Sequence, residues 1–245
     1  VSIAFMLIAG CNFATHYVVL SRRSFRPYLT DPEAGAFLLV SVGSVIAIAI
    51  FLDVHGVYPT FSEALRFSAF NVVSIATTTG YASTDYALWP MFAPLWMLFL
   101  SSFATSAGST GGGIKMIRAI VLYKQVYREL TRAMHPNAIH PVKIGSELVP
   151  SNILFAVLAF GFMYMVCIVS MTLALSFSDL EIVTAFTAVV ASINNTGPGL
   201  GQVGPATNFG SLSDFQTWVC TFAMLLGRLE IFTLLVVMTP AFWRK

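Results

Sequence analysis

Ile75-Ala76-Thr77-Thr78-Thr79-Gly80-Tyr81 and Ile193-Asn194-Asn195-Thr196-Gly197-Pro198-Gly199 decide how this chain is read. Each follows an apolar, helix-like run and precedes a long apolar segment. Each sets hydroxyl or carboxamide side chains directly before a glycine. Non-helical backbone at membrane depth is tolerated only where it is buried in protein or lines a wet cavity. There its carbonyl oxygens can replace the water shell of an ion, and glycine admits the dihedrals that aim successive carbonyls inward. A helix ending at such a turn points its negative end at the same place, which favours a cation. A structural loop with packing glycines accounts for one such turn equally well. Two matched turns favour an ion path over catalysis.

Composition sets the surroundings. The 245 residues are 57% apolar and 10% charged, with a mean hydropathy of +0.79. A soluble domain carries about 25% charged residues. This chain lacks the polar surface to cover itself in water, so an integral membrane protein is expected. The net charge of +2 decides little. Cys11, Cys167 and Cys220 lie in apolar runs without metal spacing and read as small packing residues. Val1 is not an initiator methionine, and the chain opens inside an apolar run with no basic region before it. A piece of a longer protein is therefore expected rather than a signal peptide.

Five apolar segments, 1–20, 35–53, 89–123, 149–177 and 213–239, approach or exceed the roughly 20 residues that span a bilayer. The third is too long and too broken for one plain helix, because Ser106-Ala107-Gly108-Ser109-Thr110-Gly111-Gly112-Gly113 has poor helix propensity. Arg22, Arg23 and Arg26 follow the first segment, Lys124, Arg128, Arg132 and Lys143 the third, and Arg244 and Lys245 the last. The positive-inside rule makes these ends cytoplasmic. Asp53, Glu63, Asp85, Asp179, Glu181 and Asp214 mark the outer side and raise the local cation concentration there.

Two shorter stretches, 61–76 and 179–193, lie between spans whose far ends already face opposite sides. A full crossing by either would break the charge pattern, and about 15 residues reach only some 22 Å. Both are expected to dip from outside as re-entrant helices. Thr60-x-x-Glu63 and Ser178-x-x-Glu181 read as capping boxes at their starts. Phe61-Ser62-Glu63 answers Phe177-Ser178-Asp179, Ala69-Phe70 answers Ala185-Phe186, and Gly80 answers Gly197. The result is a repeat of spanning helix, re-entrant helix, turn and spanning helix. Both copies point the same way, unlike the inverted repeats of many secondary transporters.

On these residues the chain resembles the membrane subunit of the Trk/Ktr potassium-uptake family. Thr77-Thr78-Thr79-Gly80 matches the third of the family's four filters, and Asn194-Asn195-Thr196-Gly197-Pro198-Gly199 the fourth. Ala9-Gly10-Cys11-Asn12-Phe13-Ala14-Thr15-His16 resembles the end of the second repeat. The resemblance implies an all-α integral membrane protein, with repeated helix–pore loop–helix units like those of a potassium channel. Residues 1–20 would end the second repeat, 34–125 form the third, 126–148 a cytoplasmic basic loop and 149–245 the fourth. The first repeat and most of the second fall outside these residues, leaving half of a four-repeat pore. Potassium is then the transported ion, bound at Thr77, Thr78, Thr79, Gly80, Asn194, Asn195, Thr196 and Gly197. No organic cofactor and no nucleic acid is expected. The implied setting is a bacterial inner membrane, with lipid, a second copy of the subunit and a cytoplasmic ring of nucleotide-binding regulatory subunits as partners. The basic loop is the docking candidate for that ring, beside plainer roles in solvation or lipid-headgroup contact.

The broken third segment tempts a phosphate-loop reading, which fails because lysine must directly follow glycine and precede Ser or Thr. Ser109 has no nearby histidine for acyl transfer. By resemblance Gly111, Gly112 and Gly113 belong to an intramembrane loop that gates the path. Lys115 at its end either reaches the cytoplasmic interface or takes part in gating. Arg228 falls inside the last apolar segment, where a charge costs at least about 2.5–3.5 kcal/mol and must face a cavity or partner. Glu230 lies on another helix face and is a poor direct partner. An interhelical ion pair would be the plain role for Arg228. The family pattern instead puts it below the filter as an electrostatic barrier. His16 reads as a hydrogen-bonded structural residue, and Trp89, Trp96, Trp218 and Trp243 as interface anchors or core packing. The rival class is a secondary transporter with cation-coupled substrate movement, which would want ionisable groups at its midplane site. The turns contain no carboxylate. An intramembrane enzyme would need a nucleophile–base or metal cluster, and none is apparent.

Overall fold

The computed structural model describes residues 1–135, 140–145, 147–229 and 231–244. Glu230 and Lys245, two charges weighed above, lie outside the described residues. The helices run α1 (Ser2–Gly10), α2 (Phe13–Arg22), α3 (Arg26–Thr30), α4 (Pro32–Val54), α5 (Phe61–Ala76), α6 (Phe92–Phe103), α7 (Met116–Met134), α8 (Ser151–Phe177), α9 (Ile182–Ile193), α10 (Asp214–Arg228), α11 (Ile231–Met238) and α12 (Pro240–Trp243). A short antiparallel ribbon, Lys143–Ile144 with Glu147–Leu148, joins α7 to α8.

α4 and α8 are unbroken spans. Asp31 caps α4 by accepting from the Glu33 and Ala34 amides, and Pro32 presets the first turn. The two helices have 23 and 27 residues, or about 35 and 40 Å, enough to cross a core of about 30 Å. Phe37, Ile48 and Leu52 of α4 and Phe160, Tyr164 and Leu175 of α8 face inward and are buried. Leu39 on α4 and Phe155 and Phe162 on α8 are bare on the opposite faces, at 76%, 71% and 68% exposure. Apolar faces of this extent belong in hydrocarbon. The protein is a multi-pass membrane protein.

The other three expected spans are broken helices, a correction to the reading of 1–20 and 213–239 as plain crossings. α1 and α2 meet at 102°, and α10 and α11 at 112°. α6 stops after twelve residues, and non-helical backbone carries the chain to α7. The reason is physical. Apolar composition records what medium a segment sits in, whereas continuity depends on local partners. At the first corner Asn12 Oδ1 accepts from the Ala14 amide and starts α2. His16 braces the same corner, with Nε2 2.8 Å from the Ile8 carbonyl and Nδ1 against the Tyr28 hydroxyl.

α5 packs between α4 and α6, and α9 between α8 and α10, while α6 also touches α9 and so joins the two units. α5 starts at the expected residue with half of the expected box: the Thr60 hydroxyl accepts from the Glu63 amide at 3.3 Å. The expected box at Ser178 is not there. Asp179 takes a left-handed φ of 61°, so the chain turns before α9 begins, and α9 has no side-chain cap. Ser178 instead ends α8, donating to the Leu175 carbonyl. A complete capping box stands at Ser213 and Gln216, whose Nε2 also donates to the Ser178 hydroxyl oxygen and carbonyl. The outer end of α8 is thereby tied to the start of α10.

Candidate functional site

The two turns share one backbone. α5 closes with the Thr79 amide on the Ser74 carbonyl at 2.8 Å, and α9 with the Thr196 amide on the Ala191 carbonyl at 2.9 Å. Both are six-residue closures around a left-handed residue. Thr78 has φ 55° and Asn195 φ 53°, and the glycines two residues on have φ 80° and 112°. Thr79 and Thr196 between them are not left-handed. Left-handed residues thus alternate with ordinary ones along each turn. A left-handed β-branched residue is strained. The Thr78 hydroxyl helps hold that shape by accepting from the Gly112 amide at 3.1 Å.

Side chains lock the first turn to its own unit and the second turn to both units. Thr77 Oγ1 donates to the Val73 carbonyl at 2.7 Å and lies 2.9 Å from Thr79 Oγ1. Asn71 holds the ascending chain through paired bonds to Ser83. Asn194 is fully buried: Oδ1 accepts from the Tyr164 hydroxyl at 2.7 Å, and Nδ2 donates to Ser101 and Ser102 at 3.0 and 3.1 Å. Its side chain is therefore a strut between α6 and α8. Asn195 Nδ2 donates to the Met224 carbonyl at 3.2 Å. The turns also meet each other. A Cβ on Gly80 would lie 2.1 Å from the Thr196 carbonyl oxygen, a contact only glycine permits.

The non-helical stretch 104–115 lies against the turns. A Cβ on Gly112 would lie 2.0 Å from the Asn194 carbonyl oxygen, so this glycine sits between the Thr78 hydroxyl and the second turn. The stretch is pinned at several points, because much of its polar backbone finds partners. Thr105 Oγ1 donates to the Gly112 carbonyl, the Ile114 amide to the Ser102 carbonyl, and the Met116 amide to the Thr105 carbonyl. The α1–α2 corner supplies the rest: the Ser106 and Thr110 amides donate to the Gly10 and Ala9 carbonyls, and the Phe13 amide donates to the Gly108 carbonyl. Lys115 turns back on the stretch, its Nζ donating to the Gly111 carbonyl. Arg228 Nη1 reaches the Thr110 carbonyl at 3.4 Å from the end of α10. A cavity of about 200 Å³ opens here, with Gly111, Gly113, Lys115, Tyr164, Ile193 and Arg228 among its walls.

Sequence reading brought out the turns, the glycines, Lys115 and Arg228. It missed Tyr164, Ser101 and Ser102, because hydroxyls scattered along apolar helices carry no spacing signal. It also missed Glu33, whose carboxylate accepts from the Ala107 and Ile117 amides. An acid in the first turn of a helix reads as ordinary dipole compensation.

The family described as TrkH, cation transport protein, matches residues 1–245. The Trk system potassium uptake protein TrkH of Salmonella typhimurium is 42% identical over 241 residues, covering 98% of this chain and 50% of the relative. The Trk system potassium uptake protein TrkG of Escherichia coli is 34% identical over 242 residues. The crystal structure of the potassium transporter TrkH from Vibrio parahaemolyticus superposes with a TM-score of 0.93 at 40% identity, over 99% of this chain and 52% of that one. The chain spans about half the length of the relatives it matches. On sequence and fold alike, this chain belongs to the TrkH family of cation transport proteins.

Proposed function

We propose that this chain forms half of a potassium pathway, with the two turns as two of its filter walls. The observation that carries the reading is the pair of matched turns, each left-handed at alternate residues and in contact at Gly80 and Thr196. Thr77, Thr78, Thr79 and Gly80 line one wall, and Asn194, Asn195, Thr196 and Gly197 the other. Their backbone carbonyls take the place of the ion's water, while the side chains of Thr77 and Asn194 hold the shape. α5 and α9 both end at the turns and direct their negative ends there. The relatives are named as potassium uptake proteins, which names the ion.

Residues 34–125 act as the third pore repeat and 149–245 as the fourth, after the end of the second at 1–20. Gly111, Gly112 and Gly113 form the gate, held against the second turn by the close approach of Gly112 to Asn194. Lys115 steadies the gate by its bond to Gly111. Arg228 adds a positive charge at its Thr110 end. The chain is no enzyme, and potassium is its cargo rather than a resident cofactor. It works in the bacterial inner membrane as a homodimer. A cytoplasmic ring of nucleotide-binding subunits docks on the basic loop 126–148, where α7 presents Arg132 to solvent.

The test is cation uptake into liposomes holding the complete gene product, comparing potassium with sodium. Uptake that prefers potassium supports the reading. Equal uptake of both, or uptake that requires a co-transported organic solute, would overturn it.

A further inference from the structure

Glu33 lies in the first turn of α4 and is 5% exposed. A buried carboxylate is costly unless its charge is met by donors. Here one oxygen, Oε1, accepts from the Ala107 amide at 2.6 Å and from the Ile117 amide at 3.1 Å. These amides sit at the two shoulders of the glycine stretch. Ala107 leads into Gly108, and Ile117 is the second residue of α7. α7 needs such a group, because its own N-cap, Lys115, is left-handed and supplies no side-chain cap. A carboxylate on the exposed amides of a helix start is favoured by hydrogen bonding and by the helix dipole. Asp31, two residues earlier, is used differently: it caps α4 and accepts from Thr15. Glu33 thus reaches both shoulders of the stretch through one carboxylate oxygen.

We propose that Glu33 is the positioning residue of the glycine loop, its carboxylate clasping both shoulders so that Gly111–Gly113 stays under the filter. Loss of the clasp removes a hold on both ends of the loop together and leaves the hydrogen bonds of Thr77 and Asn194 intact. The consequence for flux rests on the reading of the loop as the gate, and the experiment separates the two claims.

Ser109 lines the cavity and is half-buried, and the native Cys11, Cys167 and Cys220 are buried. Ser109→Cys in the complete gene product thus reports loop release through its rate of modification by a charged thiol reagent from the cytoplasmic side. Glu33→Ala should speed modification by about tenfold or more, the weight of one charge-assisted hydrogen bond. Glu33→Gln keeps an acceptor oxygen without the charge and should fall between Glu33→Ala and the parent. An unchanged rate in a folded Glu33→Ala protein, even with lowered thermal stability, would mark a merely structural group and overturn the proposal. If Glu33→Ala fails to fold, Glu33→Gln decides alone, and a parental rate overturns the proposal. Cation flux is read in parallel. Faster modification with raised flux supports both claims. Faster modification with unchanged flux upholds the clasp and removes the gate.

Discussion

Replacing Asn194 with alanine deletes three hydrogen bonds from one fully buried carboxamide. The losses are unequal. Ser101 Oγ already donates to the Leu98 carbonyl at 2.6 Å, so it stays satisfied. Tyr164 loses the acceptor of its 2.7 Å bond and is left with Ser102 alone beside its buried hydroxyl. Each ordinary bond is worth about 1 kcal/mol, so the three together cost about 3 kcal/mol. At about 2–4 °C per kcal/mol for a domain of this size, the midpoint falls by about 6–12 °C. Asn195→Ala is the matched control. It loses one bond of 3.2 Å from a half-buried site, worth about 0.5–1 kcal/mol or about 2 °C. The assay is thermal unfolding in detergent for both variants, with Tyr164→Phe added to each. Tyr164→Phe should recover part of the Asn194→Ala loss, because it removes a buried hydroxyl that has lost one of its two partners, and should recover nothing beside Asn195→Ala. Equal shifts for the two asparagines, or Tyr164→Phe effects that simply add, would refute the strut.

Arg228→Ala should raise cation flux. A unit positive charge about 4 Å from a passing cation costs about 1 kcal/mol even at the dielectric of water, roughly a fivefold change in rate, and unchanged flux in a folded protein would count against the barrier. Tyr86 is 1% exposed in the outer segment, and its hydroxyl has no partner. Burial first, and Asp85 second, push its phenol up from the ordinary value. The fold therefore favours the neutral phenol, and this stability is present below about pH 10 and lost as pH rises above it. Tyr86→Phe should leave the midpoint at neutral pH nearly unchanged and flatten the alkaline loss. A clear drop at neutral pH would mean that the hydroxyl has a partner.

What was legible in the sequence was whatever local chemistry dictates. The end of α5 at Ala76 and of α9 at Ile193 fell where polar residues meet a glycine, and the Thr60 cap stood where its spacing put it. The Ser178 box failed on the same rule, because the left-handed Asp179 intervenes and a spacing pattern carries no dihedral. The corners at Gly10–Asn12 and after Arg228 stayed hidden inside apolar runs. Their causes lie far away in the chain: the Gly10 carbonyl accepts from the Ser106 amide, and Gly227 lies so close to the Ile193 carbonyl that no side chain fits there. Glu33 was invisible for the same reason, its partners being Ala107 and Ile117. Long-range pairings of this kind leave no period in a single sequence.

The central claim is that the two turns recognise the ion, and Gly80→Ser tests it most directly. Its added Cβ would stand 2.1 Å from the Thr196 carbonyl oxygen at a φ of 80°, so the turns must part to admit it. Potassium and sodium uptake are measured side by side in liposomes, for the parent and for this variant. The account predicts that the preference for potassium weakens or vanishes in Gly80→Ser while the protein remains folded. An unaltered preference would place ion recognition elsewhere and leave the matched turns as structural closures of α5 and α9.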